Sequence, residues 1–66
     1  MLSARNQIKG TVRSVKLGSV MAEVIVAANG VELVAAITRG SAEALNLQAG
    51  DSVTAVIKST EIMIDK

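Results

Sequence analysis

The sequence predicts a small all-β protein: a five-stranded OB-type barrel with one short helix between strands 3 and 4. Three observations predict this fold. The five glycines, at positions 10, 18, 30, 40 and 50, place turn signals at the spacing of roughly 8–12 residues that is typical of small barrels. The segments between them are rich in β-branched residues, except for one helical stretch. The resulting order of three strands, a helix and two strands is that of an OB barrel.

Each strand is a run of β-branched and other apolar residues between turn signals. The five predicted strands are Asn6–Val15, Val20–Ala28, Val31–Thr38, Ser52–Ser59 and Glu61–Asp65. Asn29 and Gly30 separate the second strand from the third. Because both residues tolerate positive φ angles, this pair predicts a hairpin with a type I′ turn. Gly10 is expected to mark a bend and Gly18 a turn.

The helix is predicted at Ser41–Asn46. Ser41 is the predicted N-cap, because its hydroxyl is able to accept a hydrogen bond from an N–H of the first turn. Glu43 lies near the start, where a carboxylate suits the helix dipole. Ala42 and Leu45 are three residues apart and are expected to face the end of the barrel, and Asn46 ends the helix.

Alternating apolar residues are predicted to line the barrel interior: Val20, Ala22, Val24, Val26 and Ala28 in one row, and Val31, Leu33, Ala35 and Ile37 in another. The opposite rows are also apolar: Ile25, Ala27, Val34, Ala36, Val56 and Met63. A lone barrel would leave this second set in water. The chain has no cysteine, so no disulfide supplements its small core. Association with further copies is therefore expected, with a monomer of unusually apolar surface as the alternative.

The composition argues against several functions. There is no aromatic residue and the formal net charge is +1, whereas proteins that bind single-stranded nucleic acid need stacking platforms and a positive groove. No enzyme is expected, because the chain has no His or Cys, disperses its carboxylates and lacks a GxxxxGK loop. No apolar run approaches the roughly 18 residues that cross a bilayer, and no signal-peptide pattern is present. A cytoplasmic protein without membrane contact is expected.

Three clusters of cations and hydroxyls remain. They are Ser3 with Arg5, Thr38 with Ser41, and Lys58 with Ser59. Singly, each residue has a structural explanation, as a solvated cation or a helix cap. Together they offer two positive charges and four hydroxyls, the donor set that suits a small oxyanion with two negative charges. Free N–H groups at the start of the helix are expected to add donors.

The segments SARNQIKG, AAIT..S...L and TAVIKST closely resemble the molbindins, or Mop proteins, which are small cytoplasmic molybdate-binding proteins. The resemblance covers essentially the whole chain and implies a single Mop domain over residues 1–66 with an OB-type barrel. It also implies a hexamer built as a trimer of dimers. Molybdate, with tungstate as a competitor, would lie between subunits without direct protein–metal bonds. The implied site residues are Ser3, Ala4, Arg5, Lys58 and Ser59 from one subunit, and Thr38 and Ser41 from the adjoining one.

Two functional hypotheses stand at this point. One is an oxyanion-binding protein of molybdenum storage or homeostasis, with buffering and delivery to cofactor synthesis as open variants. The other is a purely structural oligomerisation module without a physiological anion. The joint presence of Arg5 and Lys58 without a neighbouring acid in the sequence favours the first. The resemblance further implies a second class of site near a symmetry axis, to which no residue is assigned, and the Arg39–Gly40 pair lies within the Thr38–Ser41 spacing.

Overall fold

The computed structural model describes residues 4–66 and contains one antiparallel sheet and one short α-helix. In chain order the elements are β1 (Asn6–Leu17), β2 (Met21–Ala28), β3 (Val31–Thr38), α1 (Arg39–Ala44) and β4 (Ser52–Ile57), followed by a 3₁₀ turn at Ser59–Glu61. The strand order in the sheet is β3-β2-β1-β4. No helix among the residues described is long and apolar enough to cross a membrane.

The twelve-residue strand β1 organises the sheet, since its first half pairs with β4 and its second half pairs with β2. The register with β2 shifts between Val12 and Ser14, so Arg13 is the extra residue of a β-bulge. A bulge bends its strand and increases the local twist, and the sheet curls into a half-barrel. Position 10 of β1 requires glycine for a steric reason, because a Cβ there would lie 2.6 Å from the carbonyl oxygen of Ala27.

The predicted hairpin between β2 and β3 is confirmed. Asn29 has φ 50° and Gly30 has φ 80°, the positive values that a type I′ turn requires at both central positions. The two strands pair from Ala28↔Val31 to Met21↔Thr38 without a register shift. The end of β3 is thereby fixed against the start of β2.

The core lies on the concave face of the half-barrel and is built from Val12, Val24 and Val26. The row predicted on β2 is buried at Ala22, Val24, Val26 and Ala28, whereas Val20 precedes the strand and is 71% exposed. The row on β3 is only partly buried, because β3 is an edge strand and has a neighbour on one side. The opposite face of β3 is apolar and open to solvent, and Val34 is 66% exposed.

The structure has four strands and not five. The chain turns at Ser59–Glu61, and residues 62–66 have no regular structure. Ile62 has an extended backbone, with φ −95° and ψ 127°, but a strand also needs a backbone partner. Within residues 4–66 no strand pairs with this segment. The predicted fourth strand also ends early, at Ile57, because Glu61 N–H donates to Lys58 O at 2.9 Å and closes the turn.

The missing strand leaves the half-barrel open. A cleft of about 400 Å³ lies between the edges of β3 and β4. Its apolar lining includes Leu33, Ala35 and Ile37 of β3 and Val53 and Ala55 of β4. The core is therefore accessible from one side.

Candidate oxyanion-binding site

The first cluster lies where β1 begins and β4 ends. Asn6 pairs with Ile57 in the antiparallel β1–β4 ladder, so Arg5 and Lys58 occupy the next positions at the same end of the pair. We call Ala4, Arg5, Lys58 and Ser59 the cationic half-site. Ala4 is half-buried and the other three residues are exposed. Ser3, which the sequence assigns to the same cluster, lies outside the described residues.

Local hydrogen bonds shape the approach to β1. Gln7 donates from Nε2 to Ala4 O at 2.7 Å and from its backbone N–H to Arg5 O at 3.1 Å. On the β4 side, Lys58 is extended, with φ −64° and ψ 133°, and Ser59 begins the 3₁₀ turn. The sequence therefore brings two short, polar turns to one end of the sheet.

The two cations of the cationic half-site form no ion pair within the part of the chain that the structure describes. The ion pairs there are Arg13–Glu32 at 3.2 Å and Arg39–Glu43 at 3.5 Å, and neither Arg5 nor Lys58 takes part. Two positive charges at one end of a strand pair, without a carboxylate within 4.0 Å, attract an anion. Residues 4–66 hold no group of three carboxylates that suits a metal ion.

The second cluster lies where β3 passes into α1. The prediction of Ser41 as the N-cap is wrong: Thr38 is the N-cap, with an extended backbone at φ −69° and ψ 148°. Its Oγ1 accepts from the Ser41 N–H at 3.1 Å. The helix starts at Arg39, two residues before the predicted start. Thr38 is suited to capping because a strand residue already has the extended backbone of an N-cap.

We call Thr38 and Ser41 the hydroxyl half-site. The Thr38 hydroxyl donates to Ser41 Oγ at 2.7 Å, so Thr38 both accepts from Ser41 and donates to it. The hydroxyl hydrogen of Ser41 has no acceptor among the described residues and is free for a ligand. The prediction of free N–H groups beside Ser41 is wrong in part, because the Ser41 N–H is held by Thr38 and the Arg39 N–H by Val20 O at 2.8 Å.

Arg39 anchors the hydroxyl half-site, a role that sequence reasoning did not assign. Its Nη1 donates to Gly18 O at 3.2 Å, in the turn between β1 and β2, and its Nε lies 3.5 Å from Glu43 Oε1. Glu43 is therefore the i+4 partner of Arg39, and the first turn of α1 holds no acidic residue. The Arg–Glu spacing of four residues is the signal that would have indicated this pair.

The two half-sites lie at opposite ends of β1. Arg5 directly precedes the strand, whereas Thr38 pairs with Met21, next to the Leu17↔Ala22 pair that ends β1. A straight strand of this length would measure nearly 40 Å at about 3.3 Å per residue, and the longest dimension of the molecule is 35 Å. The pairing pattern of one chain thus separates the residues that the sequence analysis grouped into one site.

The chain matches a family and several characterised proteins along most of its length. Residues 2–64 match the TOBE domain family. Molybdenum-pterin-binding protein 3 of Clostridium pasteurianum is 48% identical over 64 residues, which are 96% of this chain and 94% of that protein. A molybdate-binding protein from Sporomusa ovata, known at high resolution, superposes with a TM-score of 0.95 at 44% identity, covering 100% of this chain and 98% of its own.

A third similar protein is ModG, a cytoplasmic molybdate-binding protein whose structure holds molybdate. It superposes with a TM-score of 0.84 at 47% identity, over 88% of this chain and 42% of its own. All three relatives are binding proteins.

Proposed function

Because this chain belongs to the TOBE domain family and its relatives include molybdenum-pterin-binding and molybdate-binding proteins, we propose that it binds molybdate as an intact oxyanion. The resemblance to molbindins in three sequence segments is confirmed by these matches. The observation that carries the proposal is the cationic half-site, where Arg5 and Lys58 lie at one end of the β1–β4 pair with no carboxylate within 4.0 Å.

The proposed chemistry is recognition of oxygen atoms. The chain has no Cys or His, so hydrogen bonds from Arg5, Lys58 and hydroxyl groups hold the four oxygens of molybdate. Charge-assisted hydrogen bonds contribute about 1.5–3 kcal/mol each. Several of them in one site give about −8 kcal/mol, which corresponds to micromolar affinity. Such an affinity lets a protein both hold and release its ligand.

The proposed site is shared between neighbouring chains. One chain supplies Arg5, Lys58 and Ser59, with Ala4 and Ser3 beside them, and a neighbour supplies Thr38 and Ser41. The separation of the two half-sites along β1 supports this arrangement, because one chain holds them at opposite ends of a twelve-residue strand. We propose the hexamer, a trimer of dimers, as the assembly that brings such ends together.

We propose intracellular molybdenum storage or homeostasis in the cytoplasm as the physiological role, without nucleic acid or membrane as a partner. Tungstate has the same charge and nearly the same shape as molybdate, so it competes for the site. Sulfate is smaller and fits a cavity built for molybdate less well.

Isothermal titration of the oligomer with molybdate, tungstate and sulfate tests the proposal. Micromolar binding of the first two anions, with about one anion per chain and much weaker sulfate binding, is the expected result. An intact oligomer that releases no heat with any of the three anions would instead support a purely structural module. The exposed apolar face of β3 is the observation that favours this second function.

A further inference from the structure

The turn between β2 and β3 places an asparagine directly before a glycine at the surface of the protein. Asn29 and Gly30 are both exposed, and a Cβ on Gly30 would meet no heavy atom within 4 Å beyond its chain neighbours. Such a pair contains both an electrophile, the side-chain amide carbon of asparagine, and a nucleophile, the backbone nitrogen of the next residue. Glycine presents that nitrogen without a side chain to shield it. The turn therefore holds the two groups that an intramolecular reaction needs.

Asn46 offers a comparison within the same chain. It is exposed and has the same φ of 50° as Asn29, but the next residue, Leu47, is half-buried and donates its backbone N–H to Ala42 O at 3.1 Å. The Gly30 N–H donates no hydrogen bond within the part of the chain that the structure describes. After Asn46 the nitrogen is thus held by a hydrogen bond and shielded by a side chain, whereas after Asn29 it is neither.

We propose that Asn29 is a site of spontaneous deamidation. The backbone nitrogen of Gly30 attacks Cγ of Asn29, so an N–Cγ bond forms, the attacking nitrogen gives its proton to solvent and the side-chain nitrogen leaves as ammonia. Water then opens the cyclic imide. Cleavage of the N–Cγ bond gives aspartate, and cleavage of the bond from the same nitrogen to the main-chain carbonyl carbon gives isoaspartate, whose chain runs through Cγ. The attack requires rotation about the Cα–C bond of Asn29, so its rate follows local opening of the hairpin tip.

The reaction changes both the charge and the backbone at the start of β3. Each conversion replaces a neutral amide by a carboxylate, so the formal net charge of the chain falls from +1 to 0. Isoaspartate adds a methylene group to the main chain, which a two-residue turn with positive φ at both positions does not accommodate. The adjoining pairs Ala28↔Val31 and Ala27↔Glu32 are expected to open first. Thr38 lies at the other end of β3, so the inference does not depend on the proposed function.

Peptide mapping of the whole oligomer, kept without molybdate at mildly alkaline pH, tests the proposal. Tryptic cleavage separates the two asparagines, because residues 17–39 contain Asn29 and residues 40–58 contain Asn46. We expect the first peptide to gain the mass of an amide-to-acid change at least about tenfold faster than the second, since one hydrogen bond on the competing nitrogen already accounts for about that factor. Equal rates overturn the proposal, as does conversion at Asn29 that occurs only after unfolding in guanidinium chloride.

Isoelectric focusing of two matched variants gives a second test. The unmodified protein has a pI of about 8.2 and is expected to develop a more acidic band with time. Asn29→Gly should prevent this band, and it keeps the fold because Gly-Gly also suits a type I′ turn. Asn46→Gly is the control at a position with the same φ and should keep the band. A band that forms equally in both variants, or in neither, overturns the proposal.

Methyl transfer to isoaspartate identifies the chemical route. An isoaspartyl methyltransferase with a labelled methyl donor is expected to label the aged protein, with the label confined to residues 17–39. Fresh protein is the control and should remain unlabelled. An aged protein that shows the acidic band but takes up no label has reacted without the cyclic imide, and this result overturns the proposal while leaving the proposed molybdate binding untouched.

Discussion

The cationic and hydroxyl half-sites differ in how much of their structure is fixed before any ligand arrives. The hydroxyl half-site is held by hydrogen bonds: Thr38 and Ser41 bond to each other twice, and Arg39 bonds the adjoining helix to the turn between β1 and β2. The cationic half-site lies on two turns at a sheet margin, where Arg5 and Lys58 are exposed and have no acidic partner. The hydroxyl half-site is thus uncharged and its side chains are held by hydrogen bonds. The cationic half-site carries two positive charges that no ion pair holds in place.

We infer from this difference that the two half-sites contribute differently to anion binding. Charges supply most of the attraction for a dianion, while fixed hydroxyls define the position of its oxygens and so the size of anion that fits. Substitutions in the cationic half-site should then change affinity most. Substitutions in the hydroxyl half-site should change it less.

The largest effect is expected for Arg5→Ala and Lys58→Ala. Each variant leaves a bound dianion with one countercharge fewer, which typically costs several kcal/mol, so molybdate binding should weaken at least about 100-fold. Titration calorimetry measures the loss. Lys16→Ala, which removes an exposed charge at the far end of β1, is the control. Wild-type affinity in both site variants would show that these cations are only solvated surface charge.

Mixing variants tests whether the two half-sites meet across chains. Lys58→Ala lacks one half and Thr38→Ala/Ser41→Ala lacks the other, so each alone should bind poorly. After joint unfolding and refolding in equal amounts, about a quarter of the sites should pair two intact halves, because two chains must each be the right one by chance. Titration should detect this minority at near wild-type affinity. Mixed oligomers without tight sites would place the site within one chain.

A smaller effect is expected for Ser41→Ala, which removes the hydroxyl of the hydroxyl half-site that does not donate within the pair. Affinity should fall roughly ten- to a hundredfold, since a hydrogen bond to a charged group contributes about 1.5–3 kcal/mol, while the melting temperature stays unchanged because Thr38 still caps α1.

Thr38→Ala and Thr38→Ser separate capping from ligand contact. The alanine variant should lose about 1 kcal/mol of stability, and the serine variant should retain the cap.

For the Ser41→Ala variant, wild-type affinity for molybdate would exclude the Ser41 hydroxyl as a ligand.

The smallest effect is expected for Arg39→Ala. Its ion pair with Glu43 is exposed, so the stability loss should stay below about 1 kcal/mol, but a looser helix start should weaken molybdate binding a few-fold. Arg13→Ala removes the comparable exposed pair with Glu32 at the bulge, away from both half-sites. It should match the stability loss and leave affinity unchanged. Equal affinities in the two variants would remove the positioning role of Arg39.

The sequence predicts most of the fold, because the decisive signals are local. Val31–Thr38 is a strand with the predicted bounds, and Asn29 and Gly30 form the predicted turn. The predicted helix start, Ser41, was two residues too late. Thr38 is both the last residue of β3 and the N-cap of α1, whereas a prediction made segment by segment assigns each residue to a single element. The cations and hydroxyls that suit an oxyanion are also visible in the sequence, because they depend on residue type alone.

Two features were not predictable from local patterns. The apolar run after Ser59 has the composition of a strand, but forming one depends on a partner that residues 4–66 do not provide. The anchoring by Arg39 depends on Gly18 O, 21 positions away in the chain, and no local pattern indicates a contact of that range.

The length of β1 has a thermodynamic consequence. If its two ends serve different sites, a lone chain binds no molybdate, and every bound anion stabilises the assembly over its separated chains. Apparent affinity then rises with protein concentration, and added molybdate shifts dilute protein towards the oligomer. The amount of the protein in a cell would set how tightly each anion is held as well as how many are held. Dilution alone would release the ligand.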